Sequence, residues 1–144
     1  MKKNLYKSLL ILSIVGLSTT TKAQCDSIAS LCSKHIIAQF ISDGQSYRSL
    51  LLNSEEMAEF HTTFFGETTY RIAACSGKTD GNLIFNIYDQ DRHLLFTNKN
   101  YANAPHWDFR VKSTLECTIE AQLDANKNAG SGCASSSTWP KYGA

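Results

Sequence analysis

Four histidines and five cysteines are the side chains of this 144-residue chain with the most chemistry to offer. The histidines are His35, His61, His93 and His106. No two stand at metal-ligand spacing, and His-Glu-x-x-His does not occur. A serine nucleophile wants a Gly-x-Ser-x-Gly turn between a strand and a helix. Gly130-Ser131-Gly132 shares only the flanking glycines and lies in a polar loop. A cysteine nucleophile needs a nearby histidine or helix start to lower its pKa. Cys25 and Cys32 near His35 are the local candidates, and disulfide pairing or burial accounts for both more simply. The search for a nucleophile with its base therefore points away from an enzyme, with a small hydrolase of unrecognised site as the alternative.

Ligand-binding patterns are equally sparse. Asp124-Ala125-Asn126-Lys127-Asn128-Ala129-Gly130 starts like a calcium loop, but Lys127 falls within the shell and Ser135 stands at the twelfth position. An EF-hand needs a bidentate glutamate there. Asp89 and Asp91 sit in a turn, where aspartate is common without any ion. A carbohydrate surface would draw on Tyr47, Tyr88, Tyr101, Trp107 and Trp139. Trp107 belongs to an inward set, so Tyr88 and Tyr101, beside or within loops, form the candidate ligand surface. No catalytic residue, metal ligand or cofactor is implied.

The five cysteines are Cys25, Cys32, Cys75, Cys117 and Cys133. What precedes them sets their compartment. Lys2, Lys3 and Lys7 lead into an apolar run, Leu9 to Leu17, then Ser18-Thr19-Thr20-Thr21 and Lys22-Ala23. That order is a secretory signal peptide over 1–23, cut after Ala23. The run is shorter than the about 20 residues a spanning helix requires. A lipoprotein cut before Cys25 would want a small residue and an aliphatic one where Gln24 and Lys22 stand. Export to the periplasm or beyond makes disulfides the default state. Five is odd, so two bridges and one free thiol are expected, with an intermolecular bridge as the alternative. Cys75 with Cys117 can staple two strands, and Cys133 can join Cys25 or Cys32. In the first pair Cys75 falls on the opposite face from Tyr70, Ile72 and Ala74, so a bulge or a strand ending at Ala74 is needed.

Loss of the four leader lysines leaves 10 basic against 13 acidic residues, a balance of −3. A weakly acidic chain without a basic cluster excludes nucleic acid as the expected partner. It leaves an envelope protein or a glycan.

The elements that must position these residues follow from periodicity. Asp26 to Ile41 reads as a short helix, with Ile28, Leu31, Cys32, His35, Ile36 and Gln39 on one face. Gln45 to Leu52 is a strand candidate. Met57–Cys75 reads as a hairpin turning at Gly66-Glu67, with Ala58, Phe60, Thr62 and Phe64 facing one way. Residues 82–98 form a second hairpin around Asp89–His93, apolar on both faces and hence central. Trp107, Phe109 and Val111 alternate next. Leu115 to Leu123 alternates strictly for nine residues and reads as an outer layer, dry on one side and wet on the other. Beyond Cys133 the small polar residues 134–144 form a flexible tail. The missing closing strand would leave a sheet edge open for assembly.

The segment Glu59–Leu123 resembles bacterial pre-peptidase C-terminal-like β-sandwich domains. The likeness rests on TTYRIAAC (Thr68–Cys75), LIFNIYDQDRHLLFTN (Leu83–Asn98) and HWDFRV (His106–Val111). With Asp43-Gly44-Gln45-Ser46-Tyr47 added, the chain is also similar to small uncharacterised exported proteins of Gram-negative bacteria. The paired aspartates often present before the first central strand of such domains are absent here. The resemblance implies a non-catalytic accessory or binding module. The expectation is therefore a mainly β protein: an antiparallel β-sandwich, jelly-roll-like, over 24–133 with one N-terminal helix at 26–41. It would act as an exported non-enzymatic accessory or binding module, with a carbohydrate-binding module as a further alternative.

Overall fold

The computed structural model describes residues 25, 33–35, 37–40, 46–77, 80–127 and 132–141. Its eight strands are β1 (Ser46–Leu51), β2 (Met57–Phe64), β3 (Thr68–Cys75), β4 (Leu83–Tyr88), β5 (Leu94–Thr97), β6 (His106–Val111), β7 (Leu115–Leu123) and β8 (Gly132–Pro140). They form two antiparallel four-stranded sheets, in the orders β1-β8-β3-β6 and β2-β7-β4-β5. One hydrophobic core draws on both sheets: Leu51, Tyr70, Ile72 and Val111 from the first, Phe60, Phe64, Phe85 and Ile119 from the second. The alternation along β2 explains its place. Ala58, Phe60, Thr62 and Phe64 are buried while Met57, Glu59 and His61 are exposed.

The strands pair differently from the expectation. β2 and β3 are not a hairpin, because β2 pairs with β7 whereas β3 pairs with β6 and β8. The connection through Gly66 instead crosses between sheets. Gly66 lies so close to Ser113 and Thr114 that a Cβ would stand 3.0 Å from their backbone atoms. Its N–H donates to Thr114 Oγ1 at 3.0 Å. The β4–β5 hairpin is present, but β5 is an edge strand, and Leu94 and Leu95 are about half exposed. β7 lies inside its sheet, held by β2 on one side and β4 on the other. It turns Cys117, Ile119, Ala121 and Leu123 to the core and Glu116, Thr118 and Glu120 to the other face.

The tail is also corrected. Residues 132–140 are the strand β8, lying between β1 and β3 and paired with six residues of each. It is the closing strand that the sequence lacks on inspection, and it fills the edge expected to stay open, between β1 and β3. Its sequence hides it because a strand held on both sides needs backbone partners more than apolar side chains. Of the expected helix 26–41, Ser33–His35 is one 3-10 turn, and Phe40 already bridges to Lys141 in β fashion. Residues 37–39 are not helical, and 26–32, 36 and 41 lie outside the described residues, as does the leader 1–23. Arg71 anchors the described part. Its Nη1 donates to the His35 carbonyl at 2.8 Å, and its guanidinium lies 4.7 Å from the Phe40 ring centre. Its other nitrogens hold Asp108 at 2.6 and 2.7 Å.

Candidate functional site

Three strands of the second sheet present a polar outer face. The register places Glu59, Glu120 and Asn86 in one row across β2, β7 and β4, and His61, Thr118 and Tyr88 in the next. Thr63 stands beside Glu116 in a third. Directly opposed glutamates repel. Here the turn after β4 supplies the counter-charge. Arg92 reaches back over the sheet, pairs with Glu120, and approaches Glu59 at 3.6 Å. Glu120 is thereby buried to 5% exposure on what is otherwise the wet face of β7. The Arg92 guanidinium also covers the Tyr88 ring, 4.8 Å from its centre. Burial, then the nearby Glu120 charge, pushes the Tyr88 hydroxyl pKa above its ordinary value.

The turn is built to hold Arg92 there. Asp89 Oδ1 accepts the His93 N–H at 2.8 Å, and its Oδ2 meets His93 Nδ1 at 3.0 Å. The Arg92 N–H donates to the Asp89 carbonyl at 3.1 Å. Arg92 itself takes a left-handed backbone at φ 64°. That conformation is costly for a residue with a Cβ and is kept where the surroundings enforce it. The backbone hydrogen bond from His93 holds the Asp89 carboxyl below the usual range. Gln90 completes the clamp, donating from Nε2 to Glu116 Oε2 at 2.6 Å.

Between this turn and the sheet runs a polar trough. One part, of about 490 Å³, is lined by His61, Thr63, Gln90, Glu116 and Thr118 among others. The adjoining part, of about 390 Å³, adds Asp89, Asp91 and Thr114. Asp89, Asp91 and His93 bring one ligating atom each within 4.8 Å of the others. Both oxygens of Asp89 are already taken by His93, so this cluster braces the turn.

The sequence candidates are dispersed. Tyr88 lies beneath Arg92 on the outer face. Tyr101 packs at the margin between the sheets, 4.2 Å from Trp107 and 5.7 Å from Phe96 between ring centres. Among the described ring contacts, Tyr88 meets Arg92 while Tyr101 meets Phe96 and Trp107, so the two rings form no common platform there. His35 binds Asp80 at 3.2 Å and stacks on His106 at 5.3 Å. Asp124 is a local brace. Its Oδ1 accepts from Asn126 and its Oδ2 from Asn103.

Cys25 and Cys75 each take part in a disulfide. Cys117 is a buried free thiol, which overturns its pairing with Cys75. The two cysteines belong to different sheets, and the opposed parity of Cys75 reflects a side chain facing away from the core. Burial pushes the Cys117 thiol up to about 11. The side chains of Cys32 and Cys133 lie outside the described residues, as do those of Tyr47 and Trp139. The residues that sequence reasoning missed are Arg92 and Glu120. Their pairing depends on a register between distant strands, and no local signal carries it.

No protein-family model matches the chain, and no curated protein matches it. Among solved structures, the chain is similar to Aeromonas hydrophila PliG, a periplasmic lysozyme inhibitor of g-type lysozyme. The TM-score is 0.47 and the identity 8%, with 70% of this chain and 90% of that chain covered.

Proposed function

We propose that this chain is an exported, non-enzymatic binding module, folded as a jelly-roll-like β-sandwich, that engages a cationic protein surface through the trough beside Arg92. The observation that carries this is the charge gathered there. The carboxylates of Glu59, Asp89, Asp91, Glu116 and Glu120 converge on one side of the molecule, and Arg92 is the guanidinium among them. Complementary charge speeds association and selects partners. The clamped turn presents these groups without further ordering, which lowers the entropic cost of binding.

Export is supported by the leader pattern and by disulfides at Cys25 and Cys75, which belong in an oxidising compartment. The sandwich is supported by two four-stranded sheets feeding one core. The likeness to pre-peptidase C-terminal-like domains favours the same accessory role. A thiol enzyme is disfavoured because Cys117 stays protonated in the core while His35 is committed to Asp80. The glycan reading loses its platform with the separation of Tyr88 from Tyr101.

The test is capture of a partner from native envelope by the immobilised mature protein, with elution by salt. Asp91→Lys and Glu116→Lys lie on exposed positions and are expected to weaken capture by tenfold or more each. Capture that survives both substitutions and high salt contradicts the proposal.

A further inference from the structure

A second cavity lies where the two sheets meet at their edge strands β5 and β6. It measures about 300 Å³, and Phe64, Ile87, Phe96, Phe109, Val111 and Leu115 contribute most of its apolar wall. That volume falls at the lower end of small-ligand sites. Its floor includes the Cys117 thiol, kept neutral by the burial that raises its pKa to about 11. At one end of the seam Tyr101 stacks on Phe96, which lines the cavity, and lies tilted against Trp107. At the lip, Leu95 stays 50% exposed although it lines the cavity. The polar groups of the wall are also one-sided: Arg110, Lys112 and Ser113 line it, and none of its described lining residues is acidic. Both cations are exposed, and among the described residues Arg110 is held by a surface pair with Glu67 at 2.9 Å.

We propose that this seam is a binding site for a free fatty acid, whose acyl chain enters between the sheets and whose carboxylate rests on Arg110 and Lys112. The charge of the lip selects an anionic head, and the apolar wall selects the chain. An apolar cavity of about 150 Å³ accepts benzene, so this one has room for about a dozen carbons. The site shares no ion pair with the acidic trough and stands whether or not the trough binds a protein.

The test titrates the delipidated mature protein with dodecanoate, following Trp107 fluorescence and calorimetry, beside dodecanol and acetate. Dodecanoate is expected to bind at micromolar Kd, dodecanol about tenfold more weakly for want of one charge-assisted contact, and acetate not at all. Arg110→Glu with Lys112→Glu is expected to bring dodecanoate down to the level of dodecanol. Leu115→Trp fills the cavity and is expected to abolish binding of both. Leu95→Asp, at a half-exposed lip position outside the buried core, is expected to do the same. Equal binding of dodecanoate and dodecanol, or unchanged dodecanoate binding in Leu95→Asp, overturns the proposal. So does a ligand-free dimer, by sedimentation, that Leu95→Asp dissociates, because a second copy would then be the occupant.

Discussion

Single polar side chains do much of the work of closing this fold. Asn98 is fully buried where β5 ends. Its Oδ1 accepts the Phe85 N–H at 2.8 Å, and its Nδ2 donates to the carbonyls of Leu83 at 2.9 Å and Ala104 at 3.1 Å. Asn98→Ala strands three backbone groups and is expected to cost about 3 kcal/mol or more, read from urea unfolding. His106 and Asp108 both contribute to the response to acid. His106 Nδ1 is buried with no hydrogen-bond partner among the described residues. Burial, then Arg71, pushes its pKa down. The unfolded chain therefore binds a proton that the folded chain resists, and stability present above about pH 6.5 is lost as pH falls from there through the lower folded value. Hydrogen bonding from Arg71 holds the Asp108 carboxyl below its usual range. Its contribution is present above about pH 3.9 and lost as pH falls through the folded value. Thermal melts against pH are expected to show a first decline near pH 6.5 and a second below about pH 4. His106→Gln is expected to flatten the first. Asn98 is legible in the sequence as the residue ending a strand; its three partners are not, because they arise from how the loop after it folds back.

At the scale of elements, alternation shows where strands are and says little about what they pair with. β2, β4, β6 and β7 were all legible because one side chain in two enters the core. Apolar residues on both faces of 82–98 suggested two central strands. That holds for β4, whereas β5 uses its leucines at an exposed seam. Strict alternation in β7 suggested an outer layer, yet Glu120 on its wet face is covered by Arg92. Residues 57–75 read as a hairpin because a crossover of three residues looks like a turn unless the register is known. β8 was the least legible, since Ala134-Ser135-Ser136-Ser137-Thr138 has no apolar pattern. Its backbone ladder is nonetheless the centre of a sheet. Deleting residues 132–144 removes the partner of β1 and one partner of β3. Such a chain is expected to lose the cooperative melt, as read by circular dichroism; a melt unchanged from the full chain would show that β8 is dispensable.

For the whole molecule, the two sheets place two unlike surfaces on one body. The crossovers at 65–67 and 112–114 meet through Gly66 and Thr114. The outer face of the second sheet carries the acidic trough, and the seam at β5 and β6 carries the apolar cavity. What the sequence made legible was the β class and the antiparallel pairing of its strands. The gathering of carboxylates was not legible, because Glu59, Asp89, Glu116 and Glu120 are far apart in the chain and meet only through the pairing of β2, β7 and β4. The central claim is that this trough meets a cationic protein. The most direct measurement places a photo-crosslinking residue at Gln90, inside the trough, and separately at Lys99, away from it, in cells that make the protein. The account predicts one protein partner crosslinked from position 90, not from 99, and lost with Asp91→Lys. Equal crosslinking from both positions, or none from position 90, would contradict it.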